Sequence, residues 1–385
     1  MIRHFIFPLF IVLFAAAITA RAQIVPPGTV INHWYAEDGK YIGSPSICIL
    51  PNGHYIATHD EFGPNSAEYS AGRTHVYRSC DKGKTWQQIG RIDGQHWSTV
   101  FNLKNTLYII GMSKVHGDLV IRRSTDEGMS WTTPFDNAHG LIAQGEFHTA
   151  PVPVLIHNGR IYRALENAKA DNESWPRRYS AVMISAPLKS DLLNARNWTI
   201  SNSVSSEPYL DEHFKGWLEG NAVALPSGEI ADILRAHTIG HEENCAILHL
   251  NKDGNQLTFN TSDFHPMPGG AKKFSIRYDR KSRLYWTLSN AVPDSYNWGK
   301  TNCDLIRNYL YLMSSPDLLR WTLRRELIAY PADEQKHGFQ YPDWQFEGSD
   351  IVFVSRTAFD DDRGGAHTQH DANYLTFHRI SNFRK

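Results

Sequence analysis

Apolar and polar residues alternate along most of this chain in short runs. The runs are broken by turn-forming triplets such as Pro51-Asn52-Gly53, His157-Asn158-Gly159 and Pro226-Ser227-Gly228. A period of two is that of a half-buried strand, and the triplets suit hairpin turns. Strands are expected at Tyr55-Ile56-Ala57-Thr58, Leu107-Tyr108-Ile109-Ile110 and Gly159-Arg160-Ile161-Tyr162-Arg163, and long helices are absent from the pattern.

The runs group into six units. These open at Ser44-Pro45-Ser46-Ile47, His96-Trp97-Ser98-Thr99, His148-Thr149-Ala150-Pro151, Glu219-Gly220-Asn221-Ala222, Lys273-Phe274-Ser275-Ile276 and Phe339-Gln340-Tyr341. The first closes on the octet from Ser79 through Asp81 and Gly83 to Trp86, and the second on its counterpart 45 positions later, from Ser124 through Asp126 and Gly128 to Trp131. In S-x-D-x-G-x-x-W the Asp caps a tight turn, the Gly supplies a positive φ and the Trp plugs the hairpin. The third unit closes near Trp198 and the fourth around Asp253-Gly254. The fifth closes on Ser315, Asp317 and Trp321, a box one residue short and without its Gly, and the last ends at Tyr374-Leu375-Thr376-Phe377. Such a unit cannot bury its own apolar face and must stack on its sisters. The expected fold is therefore all-β, a single β-propeller of four-stranded blades spanning residues 23–385, with no linker dividing it. Val30-Ile31-Asn32 is expected to close the ring against the C-terminal unit, leaving no open sheet edge.

The N-terminal segment departs from this alternation. Arg3 and His4 precede an apolar run from Phe5 to about Ala20, and Ala20-Arg21-Ala22 fits a cleavage site. Residues 1–22 thus read as a signal peptide, which implies a periplasmic or secreted protein with no membrane attachment after cleavage. A net charge of −1 gives no argument for nucleic acid. Cys48, Cys80, Cys245 and Cys303 show no tight metal spacing and allow a disulfide without requiring one. Asn172-Glu173-Ser174 matches a glycosylation acceptor.

Inner strands of a propeller line its channel, so polar residues where the units open are candidates for one shared pocket. Gln95, Glu219, Asn221, Lys272 and Tyr341 are such residues, and with Arg235 and Arg356 they form the expected substrate-binding set. His75, His96 and His148 lie at unit boundaries and suit proton transfer. Arg163, one strand beyond His148, could hold a carboxylate, or alternatively pair with Glu166. Asp360-Asp361-Asp362, His367, His370 and Asp371 offer ligands for a divalent cation, calcium or zinc, with His370 the named ligand; a hydrogen-bonded loop is the alternative.

The two full boxes are those of sialidase-like propellers. Gly43-Ser44-Pro45-Ser46-Ile47, Thr58-His59-Asp60-Glu61-Phe62-Gly63, Phe147-His148-Thr149-Ala150-Pro151 and His370-Asp371-Ala372-Asn373-Tyr374 resemble a narrower bacterial group. That group comprises rhamnose–glucuronate lyases, related α-L-rhamnosidases and, more distantly, ulvan lyases. The resemblance implies seven blades, a monomer, and a uronate-containing oligosaccharide as substrate. It places the catalytic roles on His75, His96, His148 and Arg163, and implies β-elimination at a rhamnose–α-1,4-glucuronate linkage. Hydrolysis of the same linkage and non-catalytic glycan binding are the alternatives. The arginine that sialidases carry early in the first blade is missing from Ser46-Ile47-Cys48-Ile49-Leu50-Pro51, which speaks against sialic acid cleavage.

Overall fold

The computed structural model describes residues 25–168, 174–296 and 301–385. The signal segment, and Asn172 and Glu173 of the glycosylation triplet, lie outside the described residues. Four sheets are single blades. Tyr41–Ile49, Tyr55–Phe62, Arg73–Ser79 and Gln87–Asp93 form the first blade, and Phe214–Ala224, Ile230–Thr238, Asn244–Leu250 and Leu257–Thr258 the fourth. Ser275–Asp279, Leu284–Ser289, Tyr309–Ser315 and Thr322–Ala329 form the fifth, while Gly338–Glu347, Asp350–Ala358 and Tyr374–Ile380 belong to the sixth.

A nine-stranded sheet holds the second blade, His96–Leu103 through Leu141–His148, and the third, built on Leu155–His157, Arg160–Asn167 and Ser180–Pro187. The strand ladder between the two is the pairing of His148 and Phe147 with Glu166 and Asn167. His148 therefore ends the outer strand of the second blade; it does not open the third.

The apolar packing confirms this division. Large clusters join neighbouring blades all the way round the ring, for example Val76 with Ile109 between the first and second, and Leu234 with Met183 between the third and fourth. The sixth blade packs Val354 and Leu375 against Ile47 and Tyr55 of the first. Among the described residues the ring thus closes with six blades, where the resemblance implied seven, and no described strand is left over to build another. Thr29–His33 completes the sixth blade by pairing antiparallel with Tyr374 to Phe377, as the Val30-Ile31-Asn32 run led one to expect.

The boxes are structural. Ser79 Oγ accepts from the Gly83 N–H at 2.8 Å, Asp81 accepts from the Thr85 N–H at 2.9 Å, and Trp86 Nε1 donates to the Gly83 carbonyl at 3.2 Å. Ser124, Asp126, Gly128 and Trp131 repeat the pattern. In the shortened third box Leu318, at φ 69°, takes the place of the glycine and accepts from Trp321 Nε1. All four cysteines are unpaired, and no helix among the described residues is long and apolar enough to cross a membrane.

Candidate active site

Four inner strands carry the same irregularity. Between Ile42 and Pro45, His96 and Thr99, Leu218 and Asn221, and Gln340 and Asp343, three steps on the inner strand face two on its partner. Each is a one-residue bulge, which bends the strand and re-aims a side chain. The first residue of each bulge is Gly43, Trp97, Glu219 or Tyr341, and all four line one cavity. Trp97, Glu219 and Tyr341 take φ of 45°, 60° and 54°, a conformation costing about 1–3 kcal/mol for a residue with a side chain. Strain of this kind, repeated at one level of the ring, directs three large side chains to the axis.

The cavity measures about 570 Å³ and receives residues from every blade, which places it on the ring axis. Its size falls within the roughly 300–1,000 Å³ of ligand pockets. One wall is charged. The Tyr341 hydroxyl donates to Glu219 Oε1 at 2.6 Å, and Arg235 Nη1 donates to Glu219 Oε2 at 3.0 Å. Arg356 stacks over the Tyr341 ring at 5.1 Å, and Arg307 donates to Gln340 beside it. Arg235 and Arg356 come from equivalent positions, each paired across its blade with the residue just before a bulge, Leu218 or Gln340. Arg235 Nη2 and Arg356 Nε are buried without a hydrogen-bond partner, so this wall has donors left over for an anion.

The facing wall is aromatic. His148 Nδ1 meets Glu166 Oε2 at 2.6 Å, and its ring stacks on Tyr179 at 4.1 Å. His116 Nε2 meets the Tyr179 hydroxyl at 3.2 Å. Trp97 stands edge-on to His148, with ring centroids 4.5 Å apart.

Burial would raise the Glu219 carboxyl, but Arg235, helped by His148 and the Tyr341 hydroxyl, outweighs it and holds the group below its ordinary value. Burial, reinforced by Glu219, pushes the Tyr341 phenol up to about 12. At neutral pH the pair is therefore a protonated phenol on an ionised carboxylate. Burial lowers His96 to about 3 and His116 to about 4, with neighbouring imidazoles adding to it, so both are neutral. Burial pushes Asp60 up to about 8 and also raises Glu68, both on the cavity lining.

Of the residues expected from the sequence, His96, His148, Glu219, Arg235, Tyr341, Arg356 and His370 line this cavity. Arg163 does not. It is fully buried, and its guanidinium donates to the Val152 and Ala150 carbonyls and to Thr149 Oγ1, while Glu166 serves His148. His75 lies in a separate pocket with Trp34, Lys40, Glu61, Arg73 and Arg91. Gln95 bridges Ser98 and Arg122, Asn221 ties the fourth blade to the Phe274 carbonyl and the Ile276 N–H, and Lys272 is taken by Glu243 and the Cys303 carbonyl. These polar groups stitch blades together instead of facing the axis.

The cation ligands are likewise dispersed. His370 Nδ1 bonds Asp371, His367 bonds the Tyr41 hydroxyl, and Asp361 bonds His33. Among the described residues no three His, Cys, Asp or Glu side chains are grouped to hold an ion.

Sequence reasoning missed Asp60, Glu68, Trp97, His116, Tyr179 and Arg307. Trp97 had a signal, standing beside His96 at a unit opening. Arg307 had none, since it precedes its strand in irregular chain.

No family model and no curated protein matches the chain. Solved structures do. An α-L-arabinanase from Penicillium chrysogenum complexed with arabinobiose superposes at a TM-score of 0.57, with 17% identity over 93% of this chain and 98% of that one. An α-L-arabinofuranosidase from Fusarium graminearum gives 0.60 at 10% identity, covering 92% and 96%. A Trypanosoma rangeli sialidase in complex with sialic acid gives 0.57 at 13%, over 93% of this chain and 59% of that longer one. At such identities the likeness is one of fold, and the fold is a β-propeller.

Proposed function

We propose that the protein is a glycan-cleaving enzyme that takes a terminal acidic sugar into the axial cavity and breaks its glycosidic bond by hydrolysis. The observation that carries this reading is the Tyr341–Glu219 hydrogen bond of 2.6 Å, set among Arg235, Arg307 and Arg356. Three guanidiniums beside one reactive group suit a substrate carboxylate close to the bond being cleaved. A carboxylate nucleophile would repel that anion, whereas a neutral phenol does not.

In the first step Tyr341 Oη attacks the anomeric carbon and passes its proton to Glu219. The half-buried Glu68, favoured in its protonated form by burial, gives its proton to the departing oxygen. In the second step a water attacks the same carbon, Glu68 takes the water's proton, and Tyr341 leaves, recovering its proton from Glu219. Two displacements retain the anomeric configuration. Among the fold's solved relatives are glycosidases and a sialidase holding an acidic sugar, which supports a carbohydrate substrate. A secreted or periplasmic location follows from the N-terminal segment and fits an external glycan.

A second reading has one observation of its own. His148 is held through Nδ1 by Glu166, which leaves Nε2 as a base for the C5 proton of a uronate whose carboxylate sits on the arginines. Elimination at a rhamnose–α-1,4-glucuronate linkage of an arabinogalactan would then release rhamnose and a 4,5-unsaturated uronate. The test is turnover on rhamnose-capped arabinogalactan and on oligosaccharides ending in uronic or sialic acid, followed by sugar release and ultraviolet absorbance. Hydrolysis predicts a released acidic sugar, no new absorbance, and a loss of about 10³-fold or more in kcat for Tyr341→Phe and Glu219→Gln. Absorbance that survives Tyr341→Phe but not His148→Ala would replace hydrolysis with elimination.

A further inference from the structure

The four bulges give the cavity a pattern that the proposed chemistry uses only in part. Glu219 and Tyr341 are the reacting pair. Trp97 occupies the same position in the second blade, with the same left-handed backbone, and is half-buried in the same cavity. Its backbone N–H donates to Asp60 Oδ2 at 2.7 Å, while the other oxygen of that buried carboxyl accepts from Thr74 Oγ1 at 2.7 Å. A buried acid from the neighbouring blade thus fixes the turn that swings the indole to the axis.

Beside Trp97, the equivalent position in the first blade is Gly43. A Cβ there would lie 2.5 Å from the Asp60 carbonyl oxygen and 2.9 Å from its Cβ, so the site stays without a side chain. Gly43, Glu68 and the exposed Tyr69 share the cavity lining with the indole. The arginines come from the fourth to sixth blades, and Arg356 also stacks over the Phe62 ring of the first at 4.3 Å.

We infer that Trp97 is a specificity-determining contact, the platform for the apolar face of the sugar on the leaving side of the scissile bond. The enzyme then acts on an acidic sugar joined to a second pyranose, in preference to one carrying a small aglycone. This rests on the proposed binding of an acidic sugar at Arg235, Arg307 and Arg356. Glu68 lines the same cavity, where the proposed acid could reach the oxygen of a leaving sugar seated on Trp97.

The test uses Tyr341→Phe, which binds without turnover, alone and combined with Trp97→Gly or Trp97→Phe. Glycine suits the positive φ, and thermal unfolding verifies that each variant is folded. Calorimetry compares glucuronic acid and N-acetylneuraminic acid with the disaccharides in which each is joined to galactose. Trp97→Gly is expected to weaken the bound disaccharide by about tenfold or more and its acidic monosaccharide by less than about twofold, with Trp97→Phe between. Equal losses for both ligands, or no loss for the disaccharide, would overturn the platform while leaving the acidic-sugar reading intact. Failure of all four probes to bind the folded Tyr341→Phe protein would overturn both.

Discussion

Arg235 and Glu219 are each almost wholly buried and face one another at 3.0 Å. Neither can be removed alone without leaving a charge in a low-dielectric site. Arg235→Met is therefore expected to cost about 3–5 kcal/mol in urea denaturation, the range for breaking a buried pair. Adding Glu219→Gln should restore most of it, because the orphaned charge is gone; no recovery would mean that Arg235 acts mainly through packing. The same two residues show what the sequence could and could not convey. Glu219 and Tyr341 were legible as polar residues opening strands, but Gln95, Asn221 and Lys272 carried the same mark and turned out to bond neighbouring strands and blades away from the axis. What separates the groups is position relative to a bulge, and nothing in residue type reports that. Arg163 failed for a related reason. Its Nη1 and Nη2 donate to backbone carbonyls of the chain just before it, a partner that side-chain patterns do not reveal.

At the level of the element, the bulge is the device that turns strand into site. Gly220, the second residue of the fourth-blade bulge, is where this can be tested. A Cβ at that position would lie 2.1 Å from Asp232 Oδ1, and the Gly220 N–H is held by Glu166 Oε1 at 3.1 Å. The backbone therefore cannot shift without disturbing the carboxylate that holds His148. Gly220→Ala should cost about 1–3 kcal/mol from overpacking and lower kcat by about tenfold or more through misplacement of Glu219. Full activity with reduced stability would mean that the bulge tolerates displacement. The box turns, by contrast, were read correctly from the sequence, and even the shortened one at Ser315 folds as a box. Their hydrogen bonds are local, made within the motif, so the motif suffices to specify them. The bulges depend on pairing across the blade, which the inner strand alone does not encode.

Across the whole molecule, the six-fold repeat was legible because each blade carries its own period-two pattern, and the count of six came from those units while the resemblance pointed to seven. Closing a ring around a polar axis has a thermodynamic consequence, since it buries titratable groups that would be charged in the unfolded chain. Burial lowers the imidazoles of His59, His96 and His378, the last two to about 3, and those of His75 and His116 to about 4. Between those values and the ordinary histidine pKa of about 6.5 the unfolded chain binds more protons than the fold, so stability falls as pH falls through that window. Asp60, pushed up to about 8, and Asp232, raised by burial and by Glu166, act in the opposite sense. The fold keeps their protons while the unfolded chain loses them above about pH 3.9, so their contribution is complete below that value and declines as pH rises, that of Asp60 being lost through about 8. Burial lowers His237 and His370 to about 4 as well, so below about pH 6.5 the seven lowered imidazoles outnumber the raised carboxyls of Asp60, Glu68 and Asp232, and from there to about pH 8 the carboxyls set the trend. The melting temperature should therefore peak near pH 6.5 and decline on both sides, and Asp60→Asn should flatten the alkaline limb while leaving the acid limb in place. A melting temperature that climbs steadily to pH 8 would show that Asp60 is ionised in the fold, held so by Thr74 and the Trp97 N–H, and the turn at Trp97 would then be fixed by a full negative charge.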